Sequence, residues 1–521
     1  MKIRMQLTLF LIGLFVLLQP FSAQSKAYKK KHKRTWSEAN FFYEAEDYEM
    51  ALTLYANIYL LDEDYDEINF RIGTCYLNIP GEKKKSISYF QKAKAAGYTE
   101  AYFWLARAYH VAEQFEQEKK NYQLYKSKED KLIIEKEVER YVDIASRAEI
   151  AINNPVFVKI ENLGSSINTE YSEVIPFITA DKSKLVFSSK RPGRFGIYEN
   201  ENKNGSDVYI ADREGDNWVN AHKMGFEINT EINDLVVGMN DLGTILLVNR
   251  TRKGMDYGNL FICENKNGTW LKPIMLSEEI NSEHKESSAC ITAEGKLIYF
   301  SSNRPGGFGG KDIWKVKQLP NGNWAKPFNI GGLINSPYDE EAPFISPNGQ
   351  TLYFSSNGHE TIGGYDIYNA ESRGKRSWGT PENLGYPINS VDDDIYFSVG
   401  ENDKTAYYSS FNAGGYGGSD IYEAQLLYKD NYLTPVKFTV KDPQTQEPIE
   451  AMITLYFEGT KEVYGYYLPN EKGEFLFIIK PEMRFNMEIS ADGFTTNNTE
   501  FHITTDEISG DLLFREIIMS N

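Results

Sequence analysis

The chain has 521 residues, with 56 Lys and Arg against 74 Asp and Glu, giving a net charge of -18. So acidic a surface argues against nucleic acid as a partner, because neutralising phosphates takes a basic surface; the length allows three domains of ordinary size. Cys75, Cys263 and Cys290 are too few and too scattered for a disulfide framework. Each lies in an apolar helical or strand pattern and reads as a buried free thiol.

At the amino terminus, Lys2 and Arg4 precede the apolar run Leu7 to Leu18, and Phe21-Ser22-Ala23-Gln24 supplies small residues for cleavage. Residues 1–23 therefore read as a secretory signal, too short to span a bilayer comfortably. No cysteine follows that could carry lipid, so the expectation is export with no direct membrane span after cleavage. The stretch 24–35 is a basic linker, with Lys29-Lys30-Lys31-His32-Lys33-Arg34 read as a solvated tail.

Residues 36–153 carry a helical repeat. Ala39-x-x-Phe42 returns as Gly73-x-x-Tyr76 and Ala106-x-x-Tyr109, at steps of 34 and 33 residues. Second helices supply Ala51, Tyr55 and Ile58, then Ser86, Phe90 and Ala93, then Glu118, Tyr122 and Tyr125. Small residues let paired helices approach, and aromatics fill the gap to the next pair. The period resembles that of tetratricopeptide repeats, which implies a short α-solenoid closed by a charged last helix near Asp130 to Ile150. Such a solenoid either accepts a peptide or partner helix in its groove or packs on the neighbouring domain as a spacer.

Between 154 and 428 an Ile-Asn pair opens five similar units, at Ile167, Ile228, Ile280, Ile334 and Ile388, with spacings of 61, 52, 54 and 54 residues. Within each unit, short runs rich in Tyr, Phe, Ile and Val alternate with Gly, Asn, Asp and Pro, the pattern of strands joined by turns. Four strands per unit make one blade of a β-propeller. In the clearest copy, strand A is expected over Glu341 to Ser346, B over Thr351 to Ser355 and C over Asp366 to Ala370, with Trp378 introducing D. No tryptophan follows the fifth C strand, whereas Val156 to Leu163 reads as a D strand standing ahead of the first unit. It would close a five-bladed ring and remove free sheet edges. From about Tyr432 to Asn521, short alternating strands argue for a small β-sandwich.

Chemistry is hard to find. The chain has no Gly-x-Ser-x-Gly elbow, no His-Glu-x-x-His and no Cys-x-x-Cys, so neither a catalytic site, a metal nor another cofactor is expected. Asp392-Asp393-Asp394 lacks the spacing of a calcium loop and reads as a solvated loop. Strand alternation puts the B–C and D–A loops on one face and the tight A–B and C–D turns on the other. The longer loops carry Arg and aromatic residues, the usual anchors of protein interfaces: Arg194, Phe195, Arg250, Arg252, Arg304, Phe308 and Tyr416 are the candidate partner-binding residues. The competing structural reading gives Arg191 and Arg304 to the recurring Asp207, Asp312, Asp366 and Asp420 as internal ties.

The phrases Leu352-Tyr353-Phe354-Ser355-Ser356-Asn357 and Gly363-Gly364-Tyr365-Asp366-Ile367-Tyr368 resemble the WD40-like repeats of the PD40 family, as in periplasmic TolB-type propellers. The order of helical repeats, propeller and a segment like the carboxypeptidase-regulatory module resembles Bacteroidetes envelope proteins of the OmpA family, including the periplasmic component of type IX secretion and gliding machinery. The resemblance implies a non-enzymatic scaffold in the periplasm, associated with the outer membrane through protein partners. The OmpA-like peptidoglycan-binding domain of that family has no counterpart before Asn521, so direct wall binding is not expected. A glycan-binding or sensory propeller serving nutrient uptake is the alternative.

Overall fold

The computed structural model describes residues 32–60, 63, 65–156, 158–192, 205–251, 258–374, 377–400, 405–411, 415–426, 434–479, 484–503 and 513–519. The expected signal and most of the basic linker lie outside the described residues. The chain divides into two compact units, Met1–Gln425 and Leu426–Asn521.

The first unit opens with α1 (Lys33–Glu44), α2 (Tyr48–Tyr59), α3 (Asp66–Asn78), α4 (Ser86–Ala95), α5 (Glu100–Val111), α6 (Phe115–Lys126) and α7 (Glu135–Asn153). The first of these begins inside the stretch read as linker. Asp47 starts α2 by accepting the Met50 amide at 3.1 Å, satisfying one of the orphan donors of a helix N-terminus. Consecutive helices pack on one another, and small residues set the spacing. At Gly73 on α3, an added Cβ would stand 2.8 Å from the Phe90 ring of α4. Aromatics then fill the layers, with Trp36, Tyr55 and Tyr65 in one cluster and Phe103, Tyr122 and Tyr125 in another.

Small antiparallel sheets follow. β1 (Val158–Asn162) stands first, then β2 (Glu173–Ile178), β3 (Lys184–Ser189), β4 (Asp207–Glu214) and β5 (Asn217–Lys223) form one sheet. The next contains β6 (Asp234–Met239), β7 (Ile245–Thr251), β8 (Gly258–Lys266), the two-residue β9 (Thr269–Trp270) and β10 (Ile274–Met275). A third contains β11 (Glu286–Ile291), β12 (Leu297–Ser302), β13 (Asp312–Lys317) and β14 (Phe328–Asn329), and a fourth β15 (Glu340–Ile345), β16 (Thr351–Ser356), β17 (Asp366–Glu371) and β18 (Glu382–Asn383). The last holds β19 (Ile395–Val399), β20 (Thr405–Ser410) and β21 (Asp420–Leu426), with β1 paired beside β21. The leading strands β2, β6, β11, β15 and β19 touch in that order, and β19 returns to β2, so the arrangement is a propeller-like ring. The outer strands are short: Trp324 and Trp378 make only isolated bridges, to Gln318 and Ser372.

Burial explains the sequence pattern. Side chains of neighbouring sheets interdigitate, as where Ile313 of β13 meets Ile345, Leu352 and Phe354 of the next sheet. The isoleucine of every Ile-Asn pair is buried in these seams. All three cysteines are free and buried, and burial pushes each thiol up to about 12, leaving them unreactive.

The second unit contains β22 (Thr434–Lys441), β23 (Met452–Phe457), β24 (Val463–Tyr467), β25 (Glu474–Ile479), β26 (Arg484–Ser490), β27 (Asn497–His502) and β28 (Leu513–Ile518). A three-stranded sheet, β25-β22-β28, and a four-stranded sheet, β24-β23-β26-β27, share a core that includes Phe438, Phe477, Ile453 and Phe485. No helix among the described residues is long and apolar enough to cross a membrane.

Candidate functional site: the loop face of the ring

One hydrogen-bond device, used five times, builds the loop face. The asparagine of each Ile-Asn pair accepts a strand amide and donates back to that residue's carbonyl, imitating a ladder pair: Asn168 on Ile421, Asn229 on Val208, Asn281 on Leu260, Asn335 on Ile313 and Asn389 on Ile367. The next residue, Thr or Ser, donates its amide and hydroxyl to a carboxylate four positions on: Glu173, Asp234, Glu286, Glu340 or Asp394. Each loop is thereby fastened to the strand beneath it before any partner is considered.

This device decides the fate of the arginines. Arg191, Arg250 and Arg304 pair with Glu173, Asp234 and Glu286, at 3.1, 2.6 and 3.0 Å, and each also donates to the carbonyl of Ile167, Ile228 or Ile280. They are structural ties, but to the carboxylate heading the innermost strand and not to the aspartates expected. Asp312, Asp366 and Asp420 instead accept loop amides, those of Phe308, Ile362 and Tyr416, each at 2.7 Å; Asp207 takes Lys223 at 2.6 Å. Arg250 and Arg304, with side chains only 12% and 11% exposed, are thus already committed within the ring. Arg194, Phe195 and Arg252 lie outside the described residues. Phe308 and Tyr416 stand out in solvent, 57% and 51% exposed.

In the fourth sheet's loop His359 replaces the arginine, its ring nitrogen donating to Ile334 O at 2.7 Å. Among the described residues no Lys or Arg pairs with its carboxylate, Glu340. Burial pushes Glu340 up to about 7 against the Ser336 and Ser356 donors, and burial likewise takes Asp366 up to about 7.

The helices of the first unit sit on part of this same face. Ile362, 5% exposed, packs with Phe115, Ala145 and Ala148. Three loop carbonyls are capped from the helices: Asn357 O by Arg140, Thr361 O by Arg147 at 3.0 Å and Ile362 O by Nε2 of His110 at 3.0 Å. The other nitrogen of that buried imidazole meets Glu118 at 2.9 Å. Tyr338 donates to Glu137 at 2.8 Å, and Lys83 pairs with Asp392. Gly81, at φ +79°, brings the chain so close to the Phe411 ring that a Cβ would stand 2.6 Å from it. The solvated-loop reading of Asp392-Asp393-Asp394 is corrected here. Asp394 is buried and holds Ser390, while Asp392 is bound by the helical module.

Packing of the helices on the neighbouring domain is one of the two sequence readings, but the residues that make it are not legible there, since Arg140 and Asn357 are too distant in sequence for any local pattern to join them. One signal does exist. The ten-residue loops 303–312, 357–366 and 411–420 align, placing Phe308, Ile362 and Tyr416 at one position, and Arg140 and Arg147 lie seven apart on one helical face.

Toward the ring centre, Glu341 accepts Ser287 and Ser288 hydroxyls at 2.7 to 2.8 Å and pairs with Lys311. Burial opposes its ionisation, but Lys311 and the serines outweigh it and hold the carboxyl below its ordinary range. Toward the other end of the leading strands, Phe177, Met239, Ile291, Phe344 and Val399 line a small pocket. Among the described residues no cluster of His, Cys, Asp and Glu could hold a metal.

No family model matches the chain, and no curated protein matches it in sequence. Solved structures give weak likenesses. Prolyl oligopeptidase B from Galerina marginata is 13% identical, over 64% of this chain and 40% of that one, with a TM-score of 0.23. A putative 6-phosphogluconolactonase from Bacteroides uniformis is 10% identical, over 63% and 85%, with a TM-score of 0.26. Chlorocatechol 1,2-dioxygenase from Pseudomonas putida is 10% identical over 18% of this chain and 63% of its own length, with a TM-score of 0.15. At these TM-scores the likenesses carry neither fold nor activity across to this chain.

Proposed function

We propose that the chain is a non-catalytic scaffold of the bacterial envelope: tetratricopeptide-like repeats over 36–153, a five-bladed propeller over 154–428 and a carboxypeptidase-regulatory-like sandwich over 432–521. Five meandering sheets whose leading strands touch cyclically, the last completed by Val158–Asn162, support the blade count. Helices packed in sequence at the repeat spacing support the solenoid. The secretory signal and the module order support a periplasmic place beside the outer membrane, in an assembly of the type IX secretion or gliding kind, reached through protein partners.

One observation carries the binding reading: the chain already uses its loop face to hold protein. The fourth sheet's loop seats helices through Ile362, while the same position in two other loops presents Phe308 and Tyr416 to solvent. A stable interface needs about 800 Å² per partner and a few large central side chains, which the short turns of the opposite face, such as Asn348-Gly349, do not offer. The test compares a Phe308→Ser, Tyr416→Ser variant with Asn348→Ala, Gln350→Ala in cells at equal protein level. The first is expected to lose its co-purifying partner and the second to keep it; equal retention, or loss only from the second, rejects the assignment.

A further inference from the structure

The loops 303–312 and 357–366 are two copies of one built object. In each, the Asp closing the loop accepts the amide four residues before it, Phe308 or Ile362, at 2.7 Å. In each, two glycines follow and lie tight against the next sheet's loop: a Cβ on Gly309 or Gly363 would strike backbone at Ser336 to Tyr338 or Ser390 to Asp392. A frame this constrained presents its projecting residue in a fixed direction. The fourth loop's knob is covered and the third loop's is not.

Phe308 is also held ready. Its ring lies on Gly332, where a Cβ would stand 2.5 Å from Cε1, and Leu333 beside it is 49% exposed. A pre-oriented aromatic knob costs little conformational entropy on binding. The carbonyls of Asn303, Gly307 and Phe308 correspond to the three that Arg140, Arg147 and His110 cap in the fourth loop, and among the described residues no side chain of this chain caps them.

We propose that the Phe308 loop seats an α-helix of another protein, with small residues over the Phe308 ring and an Arg or Lys over the loop carbonyls. It rests on the reading of the loop face as a binding surface and adds the kind of partner. The occupant is inferred from what covers the sister loop, where Ala145 and Ala148, three apart on α7, leave room for Ile362 and cationic side chains cap the carbonyls. A partner with basic side chains also suits a chain of net charge -18. A second copy fits poorly, because its own α5 to α7 surface already holds its own Ile362. Tyr416 is the weaker of the two exposed positions, because its loop aligns with Ser165 and Ser166 where the third has Gly332 and Leu333.

The experiment places a benzophenone amino acid at 308, at 416 or at 348 in the full chain, in its own cells, and sequences the photo-crosslinked peptides. Position 308 should capture a helical segment of another protein with small residues three or four apart and a basic residue within a turn. Phe308→Ser should cut recovery of that protein about tenfold or more, and Tyr416→Ser less. Capture at 308 of an extended or acidic segment, or of a second copy of this chain, overturns the helix proposal and leaves the loop face standing. Capture only at 348, or none at all, overturns both.

Discussion

The third and fourth sheets share strand lengths, register and the Ile-Asn clasp, yet their loops behave differently. In the third, Arg304 pairs with Glu286 and Phe308 faces water; in the fourth, His359 binds the isoleucine carbonyl, no Lys or Arg among the described residues pairs with Glu340, and Ile362 is covered by helices. The same backbone frame therefore supports either a self-contained loop with an open knob or a loop bound to the helical module. Which one results is decided by two side chains, at 304 or 359 and at 308 or 362. A repeat fixes the scaffold, and individual residues set its use.

The largest effect that tests this contrast is at the arginine. Glu286 is 1% exposed, and removing its cation leaves a buried charge unpaired, so Arg304→Ala should cost about 3 kcal/mol or more. His359→Ala loses one carbonyl hydrogen bond and ring packing on Phe354 and Tyr368, and should cost about 1 kcal/mol. Urea unfolding of the full chain, followed in the ring by tryptophan fluorescence, checks the ranking. Equal costs would mean that the two carboxylates are held alike.

A smaller effect separates the two knobs. Ile362→Ala removes a side chain buried against Phe115, Ala145 and Ala148 and should weaken the helical dock by about 2 kcal/mol. Phe308→Ala, at the same loop position but in solvent, should stay within about 0.5 kcal/mol. Hydrogen exchange of α5 to α7 is the readout: faster exchange in both variants, or in neither, breaks the comparison.

Much of the frame was legible in the sequence because it repeats. Asp366 is expected to open a strand and begins β17, and the aspartates that recur with it, Asp207, Asp312 and Asp420, begin β4, β13 and β21. The Ile-Asn pairs mark every unit because each isoleucine fills a seam and each asparagine replaces a ladder pair. The pairing of arginines was misassigned because two sets of carboxylates lie within reach of each loop, and only three dimensions show that the set heading the innermost strand is nearer. Asp394 reads as solvated when the three aspartates are taken as one run, yet it alone stands four residues after Ser390, the place that Glu173, Asp234, Glu286 and Glu340 hold in the other units. The dock of helices on loops joins residues some two hundred positions apart, and no periodicity reports that.

The last expected effect concerns pH, and it sharpens the same contrast. Burial raises Glu340 from its ordinary 4.5 to about 7 in the folded chain. The folded state therefore holds a proton between these values that the unfolded state has released, and the contribution to stability is fully present below about 4.5 and lost as pH rises through about 7. His359, lowered by burial, works in the opposite direction, with stability present above 6.5 and lost as pH falls through its folded value. Replacing Glu340 by Gln keeps a neutral hydrogen-bonding side chain at every pH and leaves His359 in place, so the histidine cancels between variant and parent. The stability of E340Q relative to the parent should rise by about 2.5 kcal/mol between pH 5 and pH 8. The corresponding E286Q, which strips the buried Arg304 of its partner, should be destabilised at both pH values. Thermal unfolding of the two variants and the parent at the two pH values decides it: a pH-independent difference for E340Q would show that Glu340 does not take up a proton across this range, and the contrast between the two loops would then reduce to Phe308 and Ile362 alone.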